Sequence, residues 1–366
     1  MNDTHCPGRV CVVAAGGTGG HLFPAEALAR EMAGRGWRVV LATDHRGEQY
    51  AQDFPAEERL ALDAATGSGP VALARAGVAI VRGVGQARAA FGRLNAGVVV
   101  GFGGYPSAPA LVAAILQRRP TLIHEQNAVL GRTNRILAPY VRAVASSFPT
   151  LDCASVAVKA RSHLVGAPVR ADIRALFDRA WVPPGDGPIR ILVTGGSQGA
   201  RILSEATPRA LAALPEPLRA RLRVQQQSRP ETLEASRAIY RDAGIEAEVA
   251  PFFRDMATQL SQAHLVIGRA GASTCAELAV AAMPSILIPL KIATDDHQRL
   301  NAKLLSDVSA AEVLLEDDVT VEALSTAVAG VLANPGRLVA MSAAARSVAI
   351  PDAARRLADL AEATAG

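Results

Sequence analysis

The chain has 366 residues, of which 50% are hydrophobic and 20% are charged, and its formal net charge is +4. This length exceeds the needs of one small core and predicts about two domains of a packed, soluble protein. The four cysteines form no CxxC pair, which argues against a disulfide framework or a zinc site and favours buried free thiols in a reducing compartment.

Short apolar runs alternate with longer helical patterns, for example Pro24–Arg35 and Glu277–Ala282. Strands that alternate with helices form parallel sheets with helices on both faces, so we predict an α/β fold. The predicted strands are Val10–Ala14, Val39–Ala42, Val98–Val100, Thr121–Ile123 and Val141–Ala145 in the first half, and Ile189–Val193, Val224–Gln226, Glu248–Ala250, Leu265–Ile267 and Ser285–Ile288 in the second.

A weak internal repeat divides the chain into two similar halves. The segment RVCVVAAGGTGG from Arg9 resembles IRILVTGGSQGA from Ile189, and a proline- and glycine-rich stretch, WVPPGDGP, begins at Trp181. We therefore predict two doubly wound domains. Their predicted bounds are 1–170 and 189–345, with a linker at 171–188 and a C-terminal helix in 346–366 that packs back towards the first domain.

Four glycine-rich turns follow strands, two in each half: 16–20, 101–104, 195–199 and 268–271. Glycine lets backbone N–H groups approach a ligand, and the start of the next helix attracts negative charge, so the turns suit phosphate or diphosphate. A single turn could be only a tight connection. Four of them at the ligand-binding ends of strands predict a cleft between the domains.

Other nucleotide and metal motifs fit poorly. From Gly17 the chain reads GTGGHL, which lacks the last glycine of GxGxxG, and no acidic residue clearly ends the next strand, so NAD binding is disfavoured. No GxxxxGK[ST] occurs, which excludes a P-loop. Asp295, Asp296 and His297 are adjacent, but such neighbours seldom converge on one ion, so we expect no metal.

Positive charge is concentrated in residues 1–170, which carry 18 Lys and Arg against 11 Asp and Glu. Arg75, Arg82, Arg88 and Arg93 fall among apolar residues, as in a basic amphipathic helix. This element is either a solvated face or a contact with anionic lipid headgroups. We expect no signal peptide, no transmembrane span and no nucleic-acid binding, because no pattern for them occurs.

Polar residues follow two further strands. Residues 124–127 (HEQN) come after a short strand, where they either line a site or hold the loop by hydrogen bonds. Glu277 comes three residues after Thr274, which fits either a helix capping box or a carboxylate that accepts hydrogen bonds from a ribose diol.

In this order, GGTGGH, GFGGYPS, HEQNAVLGRTNR, GGSQGAR, RAGASTCAEL and DDHQRLNA resemble the motifs of the bacterial peptidoglycan N-acetylglucosaminyltransferases, the MurG family. The resemblance covers both halves of the chain. It implies a GT-B fold, with two Rossmann-like domains and a cleft between them. It also implies transfer of GlcNAc from UDP-GlcNAc to the 4-hydroxyl of MurNAc in lipid I, with inversion and no cofactor, to give lipid II.

The resemblance assigns the donor to the second domain. Ser197 and Gln198 would lie near the diphosphate and Glu277 on the ribose, and Phe253 would lie by the uracil. Gln298, with His297 as a second candidate, would hold the sugar hydroxyls. The implied donor residues are Thr18, Gly19, Gly20, Asn127, Arg170, Ser197, Gln198, Phe253, Ala272, Ser273, Thr274, Cys275, Ala276, Glu277, His297 and Gln298.

The resemblance assigns the acceptor to the first domain, where Thr18, Gly19, Gly20 and Asn127 would also border the pocket. The family's GNPVR motif reads GAPVR here, which keeps Arg170 but puts Ala167 in place of asparagine. The implied acceptor residues are Gly16, Gly17, Gly103, Gly104, Tyr105 and Asn134.

His21 follows the first glycine turn and opens a helix. The positive end of a helix dipole disfavours imidazolium, so we predict a neutral ring that accepts the proton of the attacking 4-hydroxyl. Glu125 is the alternative base, and a role for His21 in orienting substrate or capping the helix is the alternative to catalysis.

Two other functions share parts of the pattern: a UDP-GlcNAc 2-epimerase, and a non-catalytic scaffold of the cell-wall or division machinery. We favour a peripheral enzyme at the cytoplasmic face of the bacterial inner membrane that acts in cell-wall biogenesis, cell shape and division. Its expected partners are UDP-GlcNAc, lipid I, an anionic membrane surface and other cell-wall synthesis proteins.

Overall fold

A computed structural model describes residues 9–16, 19–45, 54–67, 69–196 and 199–366. The chain forms two compact units, Met1–Val169 with Asp352–Gly366, and Arg170–Pro351. The second unit therefore includes residues 171–188, which the sequence predicts as a linker. Four of the predicted site residues lie outside the described residues: Gly17, Thr18, Ser197 and Gln198.

The first unit contains a parallel sheet in the order β3-β2-β1-β4-β5-β6-β7. This is the doubly wound order of Rossmann-like folds with one more edge strand. The strands are β1 Val10–Ala14, β2 Arg38–Thr43, β3 Glu58–Ala61, β4 Ala96–Gly101, β5 Thr121–Glu125, β6 Ala143–Ser146 and β7 Ser162–Leu164. The helices are α1 Gly19–Gly34, α2 Pro70–Leu94, α3 Ala108–Leu116, α4 Arg132–Leu137 and α5 Val156–Lys159.

The second unit repeats this order as β10-β9-β8-β11-β12-β13. Its strands are β8 Ile189–Thr194, β9 Leu222–Gln227, β10 Glu246–Ala250, β11 Leu265–Gly268, β12 Ser285–Leu287 and β13 Ala311–Val313. Its helices are α6 Ala171–Arg174, α7 Arg201–Ala212, α8 Glu216–Arg219, α9 Leu233–Asp242, α10 Met256–Gln262, α11 Ala272–Val280, α12 His297–Ser306, α13 Val321–Leu332 and α14 Pro335–Ser347.

These two sheets confirm the predicted α/β fold of two Rossmann-like domains. Every predicted strand is present, whereas the sequence analysis missed the short edge strands β3, β7 and β13. The reason is visible in β3, whose residues are only partly buried or exposed. An edge strand of that kind needs no continuous apolar run, which is the pattern that predicts the other strands.

Two helices begin five residues before the helical stretches that the sequence pattern predicts. Helix α1 begins at Gly19 instead of Pro24, and α11 begins at Ala272 instead of Glu277. Pro24 lies in the second turn, where it removes the hydrogen bond that this position would donate to the carbonyl of Gly20. Both helices therefore start on the glycine turns themselves, and their first N–H groups have no partner within the helix.

Among the described residues, no single helix is long and apolar enough to cross a bilayer. Helices α13 and α14 meet that criterion only as a pair bent by 91°. Their apolar side chains, including Leu324, Val328 and Leu338, belong to the core of the second unit.

The last helix, α15 Ala353–Ala365, returns to the first unit and packs on α1. Leu357 and Ala361 are buried in one apolar cluster with Leu28 and Met32. The polar side of this contact centres on Glu362, which accepts hydrogen bonds from Trp37 Nε1 at 2.9 Å and Arg35 at 2.7 Å. These two donors hold the pKa of Glu362 below its ordinary value, with Trp37 the larger cause.

We expect Glu362→Ala to lower the unfolding free energy of the first unit by about 2 kcal/mol, because the buried Trp37 donor loses a charged partner. Urea unfolding followed by Trp37 fluorescence in a Trp181→Phe background would measure this. Asp359→Ala is the control, since Asp359 also contacts Arg35 but is 57% exposed. An equal loss in both variants would contradict a special role for Glu362.

Candidate active site

The four predicted glycine turns lie at the switch points of the two sheets. Strands β1 and β4 are neighbours, and so are β8 and β11. The chain leaves the two strands of each pair towards opposite sides of the sheet, so a crevice opens at their carboxyl ends. Of the described glycines, Gly16, Gly103 and Gly104 follow the first pair of strands, and Gly195, Gly196 and Gly271 follow the second.

His21 is the third residue of α1, and its Nδ1 lies 2.7 Å from the carbonyl oxygen of Phe102, the residue after β4. A carbonyl only accepts, so Nδ1 carries the proton and donates it, which leaves the lone pair on Nε2. Gln126 Nε2 lies 2.8 Å from the same Nδ1. Two donors cannot bond, so with this tautomer the Gln126 amide turns its oxygen to the ring.

Burial lowers the pKa of His21 below 6.5, although the Phe102 hydrogen bond and the charge of Glu125 raise it. The imidazole is therefore neutral at pH 7, as the sequence predicts. The largest cause is loss of solvation rather than the helix dipole that the sequence analysis invoked.

Gly103 and Gly104 lie beside the unprotonated side of His21 and place no side chain against it. Their φ angles of +81° and +71° favour glycine. A Cβ at Gly104 would lie 3.5 Å from His21 Nε2, and one at Gly103 would lie 3.5 Å from Cε1. A longer side chain there would cover the nitrogen that accepts a proton.

Glu125 uses its carboxylate to hold the loop that follows β5. Its Oε1 accepts from Asn127 N at 3.0 Å, and its Oε2 accepts from Gly131 N at 2.9 Å and Asn134 Nδ2 at 2.8 Å. Because these donors occupy the carboxylate, Glu125 is poorly placed to remove a proton. Asn134 is buried, and its Oδ1 has no partner among the described residues.

The same crevice contains a carboxylate that the sequence analysis missed. Asp44 directly follows β2 and is 4% exposed, and it accepts a hydrogen bond from the Tyr105 hydroxyl at 3.1 Å. The prediction that no acidic residue ends this strand was therefore wrong. The predicted strand stopped at Ala42, two residues short of the acid. Gly16 packs here too, since a Cβ on it would lie 2.8 Å from Thr43 Oγ1.

In the second unit, Glu277 does not form the capping box that the sequence allowed. The N-cap of α11 is Gly271 and makes no side-chain cap bond, which puts Glu277 in the second turn. Burial raises the pKa of Glu277 to about 7, while Arg170 lowers it and Asp172 raises it. Along the same helix, Ala272 and Cys275 are buried, and Ser273, Thr274 and Ala276 are partly exposed.

The predicted sugar-binding residues begin α12. Gln298 Oε1 accepts a hydrogen bond from Leu290 N at 3.0 Å, and His297 Nδ1 donates to Thr294 O at 2.7 Å. Asp295 and Asp296 before them both have φ of +53°, a costly conformation that is concentrated at functional sites. Within the described ranges, no group of three His, Cys, Asp or Glu side chains could hold a metal.

Phe253 is 7% exposed, whereas its neighbour Phe252 is 58% exposed. A flat base could therefore meet the backbone of Phe253 and the ring of Phe252. The family resemblance assigns only Phe253 to the uracil, and only the fold shows that the neighbouring Phe252 ring is the exposed one.

Two family models match the chain. The glycosyltransferase family 28 N-terminal domain matches residues 11–146, and the family 28 C-terminal domain matches residues 190–357. Solved structures agree. Acinetobacter baumannii MurG has a TM-score of 0.81 at 33% identity, with 98% of this chain and 100% of that one covered. A UDP-N-acetylglucosamine 2-epimerase from Listeria monocytogenes has a TM-score of 0.66 at 15% identity over 95% of this chain and 94% of its own, which shows a shared fold alone.

Curated relatives are more similar still. The UDP-N-acetylglucosamine–N-acetylmuramyl-(pentapeptide) pyrophosphoryl-undecaprenol N-acetylglucosamine transferase of Caulobacter vibrioides is 61% identical over 98% of this chain and 99% of its own length. The protein of the same name from Phenylobacterium zucineum is also 61% identical, over 98% of this chain and 99% of its own. The chain therefore belongs to glycosyltransferase family 28 and, within it, to these N-acetylglucosaminyltransferases, the MurG family.

Proposed function

We propose that this hexosyltransferase moves GlcNAc from UDP-GlcNAc to the 4-hydroxyl of MurNAc in lipid I, and so forms lipid II in peptidoglycan synthesis. The names of its relatives supply the two substrates. The observation that carries the mechanism is a neutral His21 whose Nε2 is open beside two glycines.

In this mechanism, Nε2 of His21 accepts the proton of the 4-hydroxyl as that oxygen attacks the anomeric carbon of GlcNAc. The bond from this carbon to the diphosphate oxygen breaks, UDP leaves and the configuration inverts. Negative charge grows on the leaving diphosphate. The N–H groups that begin α7 and α11 supply positive potential for it, because helix N-termini attract anions.

The two carboxylates have different roles in this proposal. Glu277 binds the ribose hydroxyls of the donor, since the described residues offer its carboxylate no side-chain hydrogen bond. Glu125 keeps Asn127 and Asn134 in place for the acceptor, which makes it a positioning residue. The remaining donor and acceptor residues keep the roles that the family resemblance implies.

We expect His21→Asn to lower kcat about 100-fold or more while the donor KM stays near normal, because only proton removal is lost. The assay is UDP release with and without a lipid I analogue. In the parent enzyme, kcat/KM should fall with decreasing pH as His21 becomes protonated. This fall should occur below pH 6.5, because burial lowers the pKa of His21.

His163→Asn, which changes an exposed histidine of the same unit, is the control and should keep full activity. A near-normal kcat for His21→Asn would contradict the base assignment. Turnover of UDP-GlcNAc without acceptor would instead indicate the epimerase, and no UDP release with acceptor would indicate a scaffold.

We expect Glu277→Ala to raise the KM for UDP-GlcNAc about 10- to 100-fold, because hydrogen bonds to a charged group are lost. At pH 8 the Glu277→Ala variant should have a higher melting temperature than the parent. The fold raises the pKa of Glu277 to about 7 from 4.5, so ionisation of this group destabilises the folded protein as the pH rises through that window. Lower stability with an unchanged donor KM would contradict the ribose role.

We also propose that α2 docks the first unit on an anionic membrane surface at the cytoplasmic face of the inner membrane. Val71 and Val78 are 66% and 53% exposed on one face. Arg75 and Arg82 lie on the same face at helical spacing. Arg93 differs from them, because it pairs with Glu58.

Replacing Arg75, Arg82 and Arg88 with Gln should sharply reduce cosedimentation with anionic vesicles, because each arginine near the surface contributes about 1 kcal/mol. Salt should weaken the parent's binding. Arg82→Gln and Arg93→Gln remove one charge each from the same helix. Arg82→Gln should reduce cosedimentation more, because Arg93 is already paired with Glu58. Binding of the triple variant equal to that of the parent would show that α2 is a solvated face.

A further inference from the structure

Gln227 lies between two loops of the second unit. It is the last residue of β9, the strand between β8 and β10. Gln226 pairs with Val193 of β8, and Gln227 pairs with Ala250 of β10. The glycine turn after β8 and the loop that begins at Pro251 after β10 therefore leave the sheet on either side of Gln227.

The Gln227 amide bonds both loops. Its Oε1 accepts from Gly195 N at 3.0 Å and from Thr194 Oγ1 at 3.2 Å. Its Nε2 donates to Gly196 O at 2.9 Å and to Pro251 O at 3.3 Å. These four bonds use the whole capacity of a primary amide. A backbone N–H on one side and two carbonyls on the other also determine which way the amide faces.

The first two residues of the glycine turn have to be glycines. A Cβ on Gly195 would lie 2.3 Å from Ala200 N, and Gly196 has φ of +76°. Gln227 is 5% exposed, so leaving its own amide unpaired would be costly. The amide thereby holds the start of the turn, at Gly195 and Gly196, next to Pro251, the residue before the two phenylalanines.

We propose that Gln227 is the positioning residue of the donor site: it holds the turn that binds the diphosphate and the loop that meets the base at one fixed separation. The proposal rests on the proposed function. Backbone N–H groups stabilise a leaving diphosphate only if they are oriented before the bond breaks. Gln227 therefore acts through the turn and does not itself contact the donor.

The test compares Gln227→Met with Gln226→Met, the adjacent buried glutamine. Gln226 accepts from Tyr240 and donates to Ser228 Oγ at 3.0 Å, away from both loops. We expect Gln227→Met to raise the donor KM and the Kd for UDP about tenfold, the size of a lost network of buried hydrogen bonds. The acceptor KM should stay within about twofold. Gln226→Met should lower the melting temperature without changing the donor KM.

A second measurement separates positioning from general loosening of the fold. The ratio of the Kd values for UMP and UDP reports the contribution of the second phosphate, and it should shrink in Gln227→Met but not in Gln226→Met. Thr194→Val removes the neighbouring hydroxyl from the same network. It should shrink the ratio too, and it decides the question if Gln227→Met does not fold.

Three results would overturn the proposal: a donor KM within about twofold of the parent's for Gln227→Met, equal effects of the two glutamine variants, or an unchanged UMP-to-UDP ratio. Failure of the proposed function is distinguishable. It would appear in the parent enzyme, as absence of UDP binding or of GlcNAc transfer.

Discussion

The structure depends on a constraint at the two switch points. Strands β1 and β8 each turn into a helix through glycines, and each has a neighbour, β4 or β11, whose chain leaves on the other side. Backbone N–H groups at these points cannot bond within the helix or the sheet. A ligand with concentrated negative charge would satisfy them, which supports the proposal that each unit binds a diphosphate at this place.

Each unit has a buried polar side chain at the end of a strand that bonds the loops around it. Glu125 accepts from three groups of the loop after β5. Gln227 bonds both neighbouring loops after β8 and β10. A network whose members are satisfied makes the loops rigid, as the four hydrogen bonds of the Gln227 amide do. Catalysis needs this rigidity, because donors that must reorient during the reaction stabilise charge less well.

Glu362 and Glu277 differ in how their ionisation affects the stability of the fold. Glu362 joins α15 to α1 and has a lowered pKa, so its ionised form stabilises the first unit. Glu277 has a raised pKa, so its ionised form opposes folding at neutral pH. A partly exposed carboxylate that costs stability and caps no helix is typical of a group that binds a ligand.

The sequence by itself determined the alternation of strands and helices, the four glycine turns and the ordered motifs of the family. These features are local, because strand periodicity and the backbone freedom of glycine can be read within a few residues. The same ordered motifs contain most of the proposed site residues, including His21, Glu125 and Glu277.

Only the tertiary structure decided the chemistry of those residues. The tautomer of His21 depends on the carbonyl of Phe102, 81 residues away, and its pKa depends on burial. In the sequence, Arg93 is equivalent to the other arginines of α2, but in the fold it pairs with Glu58 of β3. Gln227 carried no motif at all, because its role comes from the order of three strands in a sheet. Desolvation and hydrogen bonding act between residues that are distant in the chain, and no local pattern records them.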